Sequence, residues 1–200
     1  MSESPSLRLQ DVAIGELQAV NLTVAPGEIV CLSGASGSGK SRLLRAVADL
    51  EPHDGEIALR ELVQGRIPGH LWRAAVMLVP AESQWWAETV GEHFSPGMHL
   101  DLAPLGFDDA VMGWSISRLS SGEKQRLALA RAVAREPKAL LLDEPTANLD
   151  PDSIRRVEDW LQDLIRQRSL PVLWVAHDQA QIERVGQRHF RIFNGSLEQD

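Results

Sequence analysis

The chain has 200 residues, 44% of them hydrophobic and 24% charged, the balance of one ordinary globular domain and not of a disordered segment. A single cysteine, Cys31, excludes an internal disulfide framework and a Cys-rich zinc site, and 28 acidic against 20 basic residues, a net charge of -8, argue against a large nucleic-acid surface. No apolar run approaches the roughly 18 residues of a membrane-spanning helix, and the start MSESPSLRLQ lacks a basic stretch followed by an apolar one, so a soluble cytosolic domain is expected, with any membrane role coming through a partner.

In chain order, residues 1–6 are polar and expected to fray. Ile29 to Leu32 is apolar on consecutive residues, the pattern of a parallel strand covered on both faces. A helix is expected from Ser41 to Leu50. Residues 85–118 hold three of the six tryptophans, with Gly and Pro and little periodicity, and read as a compact insert. A helix from about Gly122 to Ala134 must stop before Pro137. Ala139 to Leu142 is a second buried strand, ended too soon by Asp-Glu-Pro to be a helix. The segment Asp152 to Arg166 places Ile154, Val157, Trp160, Leu161, Leu164 and Ile165 on one helical face, with Asp150 as N-cap and Pro151 at the first position. Val172 to Ala176 is a third buried strand. Strand–helix–strand alternation predicts an α/β domain with a mainly parallel sheet.

Gly34 to Ser41 reads GASGSGKS, a full match to G-x-x-x-x-G-K-[ST]. A buried strand runs into a glycine-rich turn and a helix starts at the lysine. Such a turn aims the N–H groups of Gly34, Ala35, Ser36, Gly37, Ser38 and Gly39 at one anion, and the helix N-terminus adds free donors and partial positive charge. Lys40 is placed to reach the terminal phosphates and Ser41 to bind magnesium. Asp143 and Glu144 follow a buried strand at the sheet edge where α/β domains bind ligands. Asp143 is the candidate to hold magnesium through water and Glu144 to polarise the attacking water.

Leu119-Ser120-Ser121-Gly122-Glu123-Lys124-Gln125-Arg126 resembles the LSGGQ signature of ATP-binding cassette (ABC) ATPases. In the family's order follow Asp143-Glu144-Pro145-Thr146, similar to its second nucleotide motif, and Ala147-Asn148-Leu149-Asp150, similar to its D-loop. His177 resembles its switch histidine, and Arg191 to Leu197 its last strand and turn. The resemblance covers nearly the whole chain. It implies the P-loop NTPase fold of ABC ATPases: a mainly parallel core sheet, an N-terminal antiparallel β region and a short helical subdomain. The single domain would divide into an ATP-binding core, about 1–80 and 119–200, and a shortened helical subdomain, about 81–118. It also implies a transporter's ATPase subunit that binds ATP and Mg2+ and pairs head to tail with a second ABC ATPase subunit, expected to be a second copy. Each ATP would lie between one phosphate loop and the opposite Ser120, Ser121 and Gly122, with Asp150 carrying contact across the dimer. Lys40, Glu144 and His177 would be catalytic, and Ser41 and Asp143 would hold the metal. The partner would be an integral membrane permease on a separate chain, reached from the cytoplasmic face of the inner membrane, with no nucleic acid involved. Alternatives are a soluble ABC ATPase and a regulatory module of low turnover.

The sequence departs from the family in several places. Ala81 stands where the family has a metal-contacting glutamine, leaving either a weakened metal contact or a replacement by Glu82 or Gln84. There is no Tyr, and the first aromatic is Trp72, so the adenine is left with aliphatic contact from Ile14 and Leu17. Arg42 replaces a small hydroxyl residue and either contacts the α-phosphate or is solvated. Ser121 and Glu123 replace Gly and Gln of the signature. Trp85 and Trp86 are either an anchor for the membrane partner or the core of the insert. The remaining histidines, His53, His70, His93, His99 and His189, have no ligand-like spacing and are read as surface or core residues, and Cys31 as an inert core thiol.

Overall fold

The computed structural model describes residues 6–95, 97 and 100–200. The expected fraying of residues 1–5 and the reading of His99 lie outside the described residues. Two strands open the chain, β1 (Leu7–Ile14) and β2 (Leu17–Val24), joined at a turn through Gly15. β3 (Ile29–Gly34) leads into α1 (Lys40–Val47). Next come β4 (Asp54–Leu59), β5 (Leu62–Val63), α2 (Gly69–Ala75) and β6 (Val76–Val79). The described part of the insert turns through short 3-10 helices at Gly91–His93, Ala103–Leu105, Asp109–Gly113 and Ile116–Arg118. The chain continues through α3 (Ser121–Val133), β7 (Ala139–Asp143), α4 (Pro151–Arg168) and β8 (Val172–Val175). It closes with α5 (Gln179–Val185), β9 (Arg188–Phe193) and β10 (Ser196–Gln199).

The strands make two sheets. One is antiparallel, in the order β2-β1-β4-β5, and the other has the order β10-β9-β3-β8-β7-β6, parallel except at the β9–β10 hairpin. The parallel strands alternate strictly between two cores. Ile29, Cys31, Leu140, Leu142, Val172 and Trp174 face α3, α4, α5 and the insert. Val30, Leu32, Leu141, Leu173 and Val175 face α1, α2 and the antiparallel sheet. Burial on both faces is why these strands carry no polar alternation. Trp72 of α2 fills the second core and donates its indole N–H to Val47 O at 2.8 Å, which ties α2 to the end of α1.

The three parallel strands read from sequence all form, and the helices begin and end within a few residues of expectation. Asp150 caps α4, its Oδ1 accepting from the N–H groups of Asp152 (3.1 Å) and Ser153 (3.0 Å), with Pro151 at the first helical position. No helix among the described residues is long and apolar enough to cross a membrane.

Candidate active site

The phosphate loop leaves the C-terminal end of β3. Gly34 and Gly39 lie at φ +144° and +104°, and both are closely approached: a Cβ on Gly34 would fall 2.8 Å from Ile192 O, and one on Gly39 3.1 Å from Leu17 Cδ1. Only glycine meets both conditions. Ala35, Ser36 and Gly37 are exposed. Lys40, the first residue of α1, is buried, and its Nζ donates to Gly34 O (2.8 Å) and Ala35 O (3.0 Å). Burial holds its ammonium below the usual lysine range, opposed by the carboxylates of Glu144 and Asp143. Ser41 is half-buried on the next step of the helix.

β8 lies between β3 and β7 in the sheet, so the ends of three adjacent strands converge. Asp143 closes β7 and is buried, with Oδ1 lacking any hydrogen-bond partner among the described residues. Glu144 follows in a left-handed conformation, φ +49°, held by its N–H to Val175 O (3.2 Å). Such a backbone costs about 1–3 kcal/mol in a non-glycine residue and persists only where the surroundings impose it. His177, just past β8, brings Nε2 to 2.7 Å from Glu144 Oε1. Both side chains are partly exposed. The residues able to take a divalent cation here are one hydroxyl, Ser41, and one carboxylate, Asp143. Among the described residues no cluster of three or more His, Cys, Asp or Glu forms a protein cage. That sparse set, with an orphaned buried carboxylate oxygen, suits magnesium, which keeps several waters and takes substrate phosphates as ligands.

The signature residues stand at the start of α3. Ser120 is its N-cap in a full capping box: Glu123 N–H donates to Ser120 Oγ (3.2 Å), and the Glu123 carboxylate accepts from both the N–H and the hydroxyl of Ser120 (2.8 Å each). Ser121 opens the helix. A Cβ on Gly122 would come 3.3 Å from Asn148 O, so the helix start packs directly on the 147–150 loop. The same chain therefore joins Ser120, Ser121 and Gly122 to the Asp150 loop.

Fold and loop together define a P-loop nucleotide-binding domain. The sequence model described as ABC transporter matches residues 17–147, and the chain belongs to that family. It is 40% identical to the aliphatic sulfonates import ATP-binding protein SsuB 2 of Pseudomonas syringae over 81% of this chain and 58% of that protein. It is 35% identical to the Fe(3+) ions import ATP-binding protein FbpC of Streptomyces coelicolor over 92% of this chain and 56% of that one. The chain thus spans somewhat over half the length of these relatives. A third, from Escherichia coli, carries the name "Probable iron export ATP-binding protein FetA" and is 32% identical over 90% of this chain and 88% of its own. Among solved structures, the dimeric post-hydrolysis state of the ATP-binding cassette MJ0796 bound to ADP and Pi shares the fold, with a TM-score of 0.83 at 23% identity, covering 97% of both chains.

Several expectations change on this ground. Ile14 and Leu17 do not offer an aliphatic face to a base: both are buried, because the turn at Gly15 folds them into the core beneath the loop. Arg42 donates Nε to Glu51 Oε1 at 2.8 Å and lays its guanidinium against Gly15. Ala81 comes two residues after β6, and Glu82 and Gln84 are both exposed, with no side-chain hydrogen bond to another described residue. Trp85 and Trp86 part company: Trp85 packs on the core, while Trp86 is 67% exposed. His93, read only as surface or core, organises them, its Nε2 accepting the N–H groups of Trp86 (3.0 Å) and Ala87 (3.1 Å). The sequence reading overlooked the carboxylate of Glu123 on Ser120, which the spacing S-x-x-E signals. It also overlooked a buried polar group at Thr146, Glu158 and Gln181, which no spacing signals.

Proposed function

We propose that the chain is the ATP-binding and ATP-hydrolysing subunit of an ABC transporter, working as a head-to-tail pair around two nucleotides and driving a separate membrane subunit. What supports this most directly is the convergence on three adjacent strand ends of Lys40, Asp143, Glu144 and His177, with Glu144 and His177 at 2.7 Å. The relatives' names include import and export and more than one cargo. In this reading cargo and direction belong to the membrane subunit, which holds the chain at the cytoplasmic face. The core is about 1–80 and 119–200, and the insert of about 81–118 faces the partner.

In the reaction, the N–H groups of 34–39 and the ammonium of Lys40 neutralise the β- and γ-phosphates. Ser41 and Asp143 would hold Mg2+, which when bound would supply further charge neutralisation. Glu144 orients a water in line with the γ-phosphorus and takes its proton as the new P–O bond forms. The bond to the bridging oxygen breaks with its electron pair on ADP. With Nε2 protonated, His177 donates to Glu144 and keeps the carboxylate aimed. A Ser120 hydroxyl and the α3 N-terminus of the second subunit close over the γ-phosphate from the other side. Before it can bind phosphate, that hydroxyl must leave Glu123.

Phosphate release by the purified chain with Mg-ATP tests this, beside Glu144→Gln. The expected loss is on the order of 10²–10⁴-fold in kcat with ATP binding retained, the span of a general base, and the variant should dimerise in ATP. Wild-type chain that releases no phosphate, alone or with its membrane partner, would sink the proposal. A second reading, a nucleotide-holding module of low turnover, draws on Ala81, whose methyl supplies no ligand beside β6, and predicts a wild-type kcat near that of Glu144→Gln.

A further inference from the structure

Behind Glu144 and His177 lies a cavity of about 180 Å³, lined by both and by Thr146, Ala147, Gln181 and Arg184. The two side chains therefore have little packing on that side to set their separation, and exposure leaves them free on the other. Besides the Glu144 N–H bond to Val175 O, what bridges the segments that carry them is polar and buried. Gln181 on α5 donates one amide hydrogen to Thr146 Oγ1 and the other to Glu158 Oε1, both at 2.8 Å. Glu158, on α4 and 2% exposed, is held in turn by a two-point bond from Arg184, whose Nε and Nη2 each donate at 2.9 Å.

The connectivity gives this clasp a lever. Thr146 lies two residues past Glu144, in a turn closed by Ala147 N–H to Glu144 O. Gln181 and Arg184 lie on the short helix that begins two residues after His177, capped by Asp178. Glu158 lies on the helix that Asp150 caps. The Glu158 carboxylate can only accept, so the Gln181 amide nitrogen must face it, and the Thr146 hydroxyl takes the second amide hydrogen, which joins the two segments at a fixed length. A leucine there would fill similar space and join nothing.

We infer that Gln181, locked by the Glu158–Arg184 pair, is a positioning residue that sets the Glu144–His177 geometry through Thr146. The inference builds on the hydrolytic role proposed above. Steady-state phosphate release at saturating Mg-ATP, with ATP KM and melting temperature taken in parallel, tests it on Gln181→Leu, Thr146→Val and Thr146→Ser. Gln181→Leu and Thr146→Val should lower kcat about tenfold with KM within about twofold, and Thr146→Ser, which keeps the acceptor, should return kcat to within about twofold of wild type. Unchanged kcat in Thr146→Val, a rise confined to KM, or equal losses in Thr146→Val and Thr146→Ser would each overturn it. Should Gln181→Leu not fold, the two Thr146 variants decide. Inactive wild-type chain would instead bring down the hydrolytic assignment, and the clasp's role with it.

Discussion

Replacing Lys40 by Met separates what the loop does for nucleotide from what it does for the fold. The methionine keeps an unbranched stem in the same buried channel and removes the charge. Without nucleotide, three effects oppose one another. Relief of burial favours the variant, because a lysine held below its usual range carries an unfavourable term while charged. This cost is present at neutral pH and fades as pH rises through the folded value towards the ordinary 10.5 of lysine. Against it stand the lost bonds to Gly34 O and Ala35 O, which water can replace because Ala35 is exposed, and the lost attraction to Asp143 and Glu144. The nucleotide-free melting temperature should then stay within about 2 °C of wild type, less than 1 kcal/mol at the scale of a domain this size. With Mg-ATP at a hundred times Kd, wild type gains about 2.7 kcal/mol by mass action. That corresponds to a rise of about 5–11 °C at about 2–4 °C per kcal/mol. The variant should gain almost none of it. Differential scanning calorimetry with and without Mg-ATP reads both halves. A Lys40→Met chain that keeps more than half of the wild-type rise would refute the assignment of the ammonium to phosphate. A nucleotide-free drop beyond about 5 °C would show that its carbonyl bonds hold the loop together.

Glu123→Ala removes the reciprocal cap of α3 and should lower stability by about 1 kcal/mol, read as a melting temperature lower by about 2–4 °C. The bonds from Ser120 hold the Glu123 carboxyl below its usual 4.5, so its share of stability is complete above that pH and is lost as pH falls through the lower folded value. That share is small because the group faces solvent and is screened. A scan of melting temperature between pH 6 and 3 should be correspondingly shallower in Glu123→Gln. Burial pushes the Cys31 thiol up to about 12, so a thiol reagent at pH 8 should label it only after unfolding, and rapid labelling of the native chain would contradict its place in β3. Trp86→Ala should leave stability within about 0.5 kcal/mol, whereas Trp85→Ala, which strips a ring from the core edge, should cost about 2 kcal/mol. Urea unfolding distinguishes the two, and equal costs would mean that both rings are structural.

The parts of the fold that could be read directly are those where one physical signal spans consecutive residues. Ala139 to Leu142 is apolar throughout because each residue meets one of two cores, and α4 shows its face because Val157, Leu161, Leu164 and Ile165 repeat over eighteen residues. β1 gives no such signal. Its buried residues Leu7, Leu9, Val12 and Ile14 lose the two-residue alternation at an irregularity between Leu9 and Val12, where Asp11 turns to φ +50°. The insert is opaque for a related reason, since 3-10 turns of three to five residues are too short to display a period. Trp85 and Trp86 are chemically identical neighbours, and their different exposure is decided by a histidine seven residues beyond Trp86 that accepts two backbone N–H groups.

The site divides along the same line. The phosphate loop is contiguous, so its glycines, lysine and serine carry their meaning in their spacing. The clasp draws on residues 146, 158, 181 and 184, on three separate segments, and becomes a unit only when α4 and α5 pack on the turn after β7. Ile14 and Leu17 mislead in the opposite way, because apolar residues beside a nucleotide loop look available until the turn at Gly15 carries them into the core. The guanidinium of Arg42 then lies over that glycine, fixed by Glu51, which Arg45 also holds at 3.2 Å. A charged plane tethered on one side therefore occupies the ground beside the loop that the apolar residues vacate. To reach the α-phosphate Arg42 would have to leave Glu51, an exposed pair that solvent screens to little net worth, so the two readings of Arg42 differ by one weak surface bond.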